Sequence, residues 1–153
     1  MEHEEIVQAY QPFADMVRAG GFSEPATGWD ASLVAAHIAA NNDAIAALAE
    51  AIAEGHEPSY DNAEVIDDAQ LRHVVSAAGG LEGLADLVET SAERLARAWE
   101  LVGPEAGATE VPVKIADGGQ IVRDGPVPIR RFIEGNATFH LQIHLDQLRA
   151  MLQ

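Results

Sequence analysis

Two histidines four residues apart, His140 and His144, lie in the stretch Phe139-His140-Leu141-Gln142-Ile143-His144-Leu145-Asp146-Gln147-Leu148. On a helix this spacing puts both side chains on one face, roughly 6 Å apart along the axis, so that both imidazoles reach one common point. Neutral imidazole binds first-row metals near pH 7, and two ligands from one rigid helix lose little entropy when a chelate closes. A third ligand must come from another element. His37 is the candidate, because Val34, His37, Asn41, Ile45, Leu48 and Ile52 form one helical stripe in which a histidine and an asparagine stand where hydrophobic residues are expected. Three nitrogens leave a metal at least one open position, as in a catalytic site and unlike a closed structural one.

Asn41, one turn beyond His37, is a candidate hydrogen-bond donor to a substrate or to a ligand side chain; the plainer alternative is a buried asparagine satisfied by backbone. The histidines have a plain alternative too, as polar groups in an apolar bundle that pair with other buried polar groups. Both readings stand at this level. No carboxylate joins the cluster: Glu134 precedes His140 by six residues, about 240° round a helix, and Asp146 is likewise turned away from His144. His3, His56 and His73 receive no role. Trp29 and Trp99 read as packing residues, and Arg130 and Arg131 as helix-start arginines, with steering of a carboxylate-bearing thiol or substrate as the alternative. The acidic run from Asp61 to Asp68 reads as a solvated face.

The elements that must position these residues follow from periodicity. Ile6, Tyr10, Phe13 and Val17 mark a first helix over about Glu4 to Arg18, stopped at Gly20-Gly21. The second runs from about Ala31 to Glu54, with Asp30 or Thr27 as its cap. A short helix is predicted within 63–80. Leu84, Val88, Ser91, Leu95, Trp99 and Val102 mark a long helix from Leu81 to Val102, stopped at Gly103-Pro104. Between Thr109 and Arg123, alternating Val111, Val113 and Ile115 and the turn Asp117-Gly118-Gly119 predict a small β-hairpin. The last helix is expected from about Ile129 to Leu152, apolar on two stripes and therefore central. The expected fold is an all-α four-helix bundle with a small β-hairpin before the last helix, a single domain over 1–153.

Composition bounds the chemistry. The chain carries 25 acidic and 9 basic residues, a net charge of −16, which repels phosphate backbones and anionic lipid; neither nucleic acid nor a membrane is an expected partner. There is no cysteine, so a metal must take nitrogen or oxygen ligands and thiol chemistry needs a thiol brought in as cosubstrate. No run of about 18 apolar residues occurs, and the start Met1-Glu2-His3-Glu4-Glu5 is acidic, unlike the basic start of a signal peptide; a cytoplasmic protein is expected.

Trp29 followed eight positions later by His37, together with the late His140-x-x-x-His144 continued by Leu145, Gln147 and Leu148, resembles the DinB-like superfamily. That group includes the N-terminal domain of mycothiol-dependent maleylpyruvate isomerase and the bacillithiol transferases, and the resemblance spans nearly the whole chain in element order. It implies a four-helix bundle holding one divalent metal, zinc or nickel, through His37, His140 and His144. The isomerase branch has a glutamate as the first residue of the late pair, and here that position is His140, as in the three-histidine transferase branch. The implied function is that of a metal-dependent thiol transferase or isomerase using a low-molecular-weight thiol of the mycothiol or bacillithiol type with a small electrophile. The alternative is a non-enzymatic metal- or small-ligand-binding bundle, and either form is a candidate homodimer.

Overall fold

The computed structural model describes residues 1–153. Helix α1 (His3–Ala19) buries Ile6, Tyr10, Phe13, Ala14 and Val17, the face given by their three- and four-residue steps. Its far end is tied to α4 (Leu81–Ala106) by Arg18, whose guanidinium donates to Glu82 at 3.0 Å, Asp86 at 2.9 Å and Glu89 at 2.5 Å. Helix α2 (Ala31–Ala53) begins at Asp30, whose carboxylate accepts from the Leu33 amide at 2.9 Å and so satisfies one of the free donors of the first turn. A single 3₁₀ turn, Glu64–Ile66, leads into the short helix α3 (Asp68–Ala78), capped by the Asp67 side chain. Gly79 ends α3 at φ 77°, a left-handed conformation in which any Cβ would be strained.

Two boundaries differ from expectation. Helix α4 does not stop at Gly103-Pro104; Gly103 takes φ 59° and ψ −178°, and the helix resumes beyond this kink to Ala106. Proline is tolerated there because it opens the next turn, where its missing N–H has no partner to lose. The last helix is broken as well, into α5 (Ile129–Gly135), a π-helical turn Asn136–His140, and α6 (Leu141–Ala150).

The small sheet has three strands, not only the expected hairpin. Strand β1 (Tyr60–Asp61) runs parallel to β2 (Glu110–Asp117), with Tyr60 opposite Val113 and Asp61 opposite Lys114. Strand β3 (Gln120–Pro128) pairs antiparallel with β2 across Gly118-Gly119, both at positive φ, with a bulge between Ile115 and Ala116. Two residues are too few to show alternation, which is why β1 gave no sequence signal.

Around the bundle, α4 packs along both α1 and α2, and the C-terminal helical segment closes the ring between α1 and α2. The central position expected for the last helix belongs to α2. Its alanines Ala31, Ala35, Ala36, Ala39, Ala46 and Ala49 are all buried, which lets neighbouring helices approach closely. The C-terminal segment is instead a wall: it buries Ile129, Ile133, Leu141, Leu145 and Leu148 but leaves Phe139 80% and Ile143 61% exposed. No helix is long and apolar enough to cross a membrane.

Candidate metal centre

His37 projects from the buried side of α2 and is 4% exposed. Its Nδ1 lies 2.7 Å from the Val65 carbonyl oxygen, which can only accept, so Nδ1 carries the proton and Nε2 keeps its lone pair. The Val65 carbonyl is held in place by Asn62. The Asn62 backbone oxygen accepts from the amides of Val65 at 3.1 Å and Ile66 at 3.2 Å, while its side chain exchanges two 2.9 Å hydrogen bonds with the backbone of Ala116 in β2. Trp29 packs against the imidazole with ring centroids 5.1 Å apart and planes tilted by 46°, and its indole N–H donates to Asp68 at 2.8 Å.

His140 ends the π-helical turn and His144 lies on the first turns of α6. The Nε2 of His140 lies 3.0 Å from that of His37 and 3.2 Å from that of His144. All three ligand atoms fall within 4.8 Å of one another. The rings meet at 64–72°, so edges carrying nitrogen converge where stacked faces would turn them aside. His144 Nδ1 donates to Gln147 Oε1 at 2.8 Å, which leaves its Nε2 with a lone pair also. His140 Nδ1 is buried without a partner.

Burial dominates the electrostatics. It lowers the His37 pKa to about 4 against the opposing effect of the hydrogen bond His37 donates to the Val65 carbonyl, with His144 lowering it further. Burial and then the neighbouring His144 and His37 lower that of His140 to about 3, and burial lowers that of His144. The cluster is therefore neutral near pH 7, with two lone pairs fixed by their Nδ1 donors and only one N–H, at most, available from His140 to lie between them. Tetrahedral coordination with metal–nitrogen bonds of about 2.05 Å puts adjacent nitrogens about 3.3 Å apart. The 3.0 and 3.2 Å approaches are close to that spacing, and a carbonyl accepting the other ring N–H is the usual support of a ligating histidine. The donor set thus fits one divalent metal.

Gln147 tests this arrangement without removing a ligand. Gln147→Ala is expected to weaken metal affinity about tenfold, as measured by competition with a chelator, and to leave the helical circular dichroism unchanged. Unaltered affinity would show that Gln147 does not orient His144.

A cavity of about 450 Å³ opens beside His37 and His140. Asn41 lines it but bonds to none of the three histidines. Its amide donates to Asn136 Oδ1 at 2.8 Å and its carbonyl oxygen accepts from the Tyr60 hydroxyl, so side chains rather than backbone satisfy it. Asn136 continues the network, donating to the Tyr10 hydroxyl at 2.8 Å and to Asn42 Oδ1 at 2.7 Å; Asn42 reaches Ser91 Oγ at 3.3 Å. Burial raises the pKa of both phenols, so each stays a neutral hydrogen-bonding group.

The remaining polar residues lie elsewhere. His3 pairs with Glu93 and Glu100, and His56 and His73 are exposed. Arg130 stacks on Trp99 at 4.0 Å and donates to its carbonyl, whereas Arg131 lines the cavity. The acidic run is more than a solvated face: Asp61 binds the Ala63 amide, Asp67 caps α3 and Asp68 holds the Trp29 indole. Sequence reasoning gave no role to Gln147, three residues past His144 and hence on its face, nor to Asn136, four before His140; both spacings were available as signals. Tyr60 and the Val65 carbonyl had none.

The family model described as mycothiol maleylpyruvate isomerase N-terminal domain matches residues 22–128, more than half of the chain. The match includes His37 and ends before His140 and His144. No curated protein and no solved structure matches.

Proposed function

We propose, for a chain that belongs to the mycothiol maleylpyruvate isomerase N-terminal domain family within the DinB-like superfamily, that it binds one divalent metal, zinc or nickel, through Nε2 of His37, His140 and His144 and promotes attack of a low-molecular-weight thiol on a small electrophile. The observation that carries this reading is the convergence of three neutral imidazole nitrogens, two of them with their Nδ1 protons committed to Val65 and Gln147. When bound, the metal supplies Lewis acidity that lowers the pKa of a thiol or water at its open position. The chain's own residues do the rest. His37 and His140 line the cavity beside the cluster, and Phe132, Phe139 and Ile143 give it apolar walls. Tyr60 and Asn41 present a preset hydrogen-bonded pair in the same wall.

Because the chain lacks cysteine, the sulfur comes from a cosubstrate of the mycothiol or bacillithiol type. In transfer, the thiol proton passes to solvent, the S–C bond forms and the leaving group departs with its electron pair. In thiol-assisted isomerisation the same sulfur adds and is later expelled. Consumption of the electrophile, followed by liquid chromatography with the thioether adduct or the isomer as product, should require added thiol. Turnover that proceeds equally without thiol would overturn the proposal.

One observation favours a second reading. No carboxylate bonds to any of the three histidines, so the centre lacks a positioned general base, as in a bundle that holds metal or a small ligand without turnover. Stoichiometric metal with no adduct across a panel of thiols and electrophiles would select that reading.

A further inference from the structure

Two of the three ligands stand on a helical segment whose buried stripe does not keep α-helical phase. Ile129 and Ile133 in α5, and Leu141 and Leu145 in α6, are all buried and stand at multiples of four residues. In an unbroken α-helix, at about 100° per residue, Leu145 would point about 160° away from Ile129. The π-helical turn Asn136–His140 takes up one residue and cuts that divergence to about 60°, so that α6 presents Leu141 and Leu145 to the same side of the bundle as α5. The convergence of His140 and His144 on His37 therefore depends on the phase of this turn.

A π turn is rare, and one persists where its surroundings hold it. Here the hold is on Asn136, the first residue of the turn. Its carbonyl accepts from the Leu141 amide, five residues on, and from the Tyr10 hydroxyl at 3.3 Å. Its side chain donates to Tyr10 at 2.8 Å and to Asn42 at 2.7 Å, and accepts from Asn41 at 2.8 Å. Helices α1 and α2 thus grip the start of the turn from two sides, and none of these groups bonds to a histidine. Tyr10, Asn41, Asn42, Ser91 and Asn136 are all buried, at positions that apolar side chains would fill without the cost of desolvating polar groups. Directional bonds supply what apolar packing does not, a single rotational setting. We propose that this network is a positioning device of the metal centre proposed above, on which it rests: Asn136 is a positioning residue that fixes the phase of the π turn and so carries His140 and His144 onto His37.

The test is titration of the full chain with cobalt(II) against a competing chelator. Cobalt(II) absorbs visible light strongly in a tetrahedral site and weakly in an octahedral one, so the spectrum reports ligand geometry separately from affinity. Deleting Thr138, which returns the turn to α-helical phase, is expected to lower cobalt affinity more than about a hundredfold and to remove the tetrahedral bands. Asn136→Ala and Tyr10→Phe keep all three ligands and should each weaken affinity about tenfold and shift the bands. Affinity is read on protein that circular dichroism shows to be folded, and if the deletion does not fold, the two point variants decide. Val102→Ala, buried in α4 about three turns from Ser91, is the control for lost stability alone and should bind cobalt as the wild type does. Wild-type affinity and bands in both point variants, or an equal loss in Val102→Ala, overturns the positioning role and leaves the metal reading intact. A wild type that takes up no cobalt overturns both.

Discussion

His37→Ala is expected to lower metal affinity by more than about a hundredfold and to abolish thiol-dependent turnover. The size follows from the centre's economy of ligands. Loss of an outer hydrogen bond to a ligating histidine typically costs 10- to 100-fold, and here a ligand itself disappears from a set of three. The remaining pair, His140 and His144, comes from one helical segment and lacks the Nε2 that approaches His140 to 3.0 Å. The change also strands the Val65 carbonyl, so His37→Gln is the companion variant: its amide retains a polar group near Val65 but offers no imidazole. Both variants should fail to hold metal against a chelator, with the helical signal retained. Wild-type metal content in both would remove His37 from the centre.

Asn136→Ala is expected to destabilise the protein by about 3 kcal/mol. This one residue makes four hydrogen bonds to three buried side chains. Its nitrogen donates to Tyr10 and Asn42, its oxygen accepts from Asn41, and its backbone carbonyl accepts from the Tyr10 hydroxyl at 3.3 Å. Truncation leaves the Asn41 amide and the Asn42 oxygen without those partners in a region where Tyr10 is 1% and Asn42 0% exposed. Each stranded buried group costs about 1–3 kcal/mol, and partial regrouping among Tyr10, Tyr60 and the asparagines offsets some of the sum. For a domain of this length that corresponds to a melting temperature lower by about 6–12 °C. Urea unfolding monitored by circular dichroism measures it directly. A loss below about 1 kcal/mol would mean that the network is dispensable.

The same network explains what the sequence made legible and what it did not. The helices were readable because Ile6, Tyr10, Phe13 and Val17, or Leu84, Val88, Leu95 and Trp99, repeat with the helical period over many turns, and a periodic signal averages over local irregularity. The histidine cluster was readable because its spacing is helical and His37 breaks an apolar stripe. The features that complete the site are local or long-range and leave no period. The π-helical turn at Asn136–His140 places one additional residue in a turn, and an α-periodic reading of the last helix has no term for it. Strand β1 is two residues whose only reason for pairing is β2, more than fifty positions away. Tyr60 therefore carries no sequence signal, although its hydroxyl closes the buried network on Asn41. Arg131 was assigned to a helix start, which it occupies; that it also faces a cavity without acidic residues is visible only once β3 is folded against α5.

Elemental analysis of untagged protein, purified without chelator and set beside His140→Ala, is the most direct test of the central claim. His140 is the middle of the cluster, its Nε2 within 3.2 Å of both others. About one zinc or nickel per chain is expected in the wild type and little or none in the variant. A wild type that holds no metal, and takes none up on titration with zinc or nickel, would contradict that claim and leave three histidines bonded only to one another, to Val65 and to Gln147.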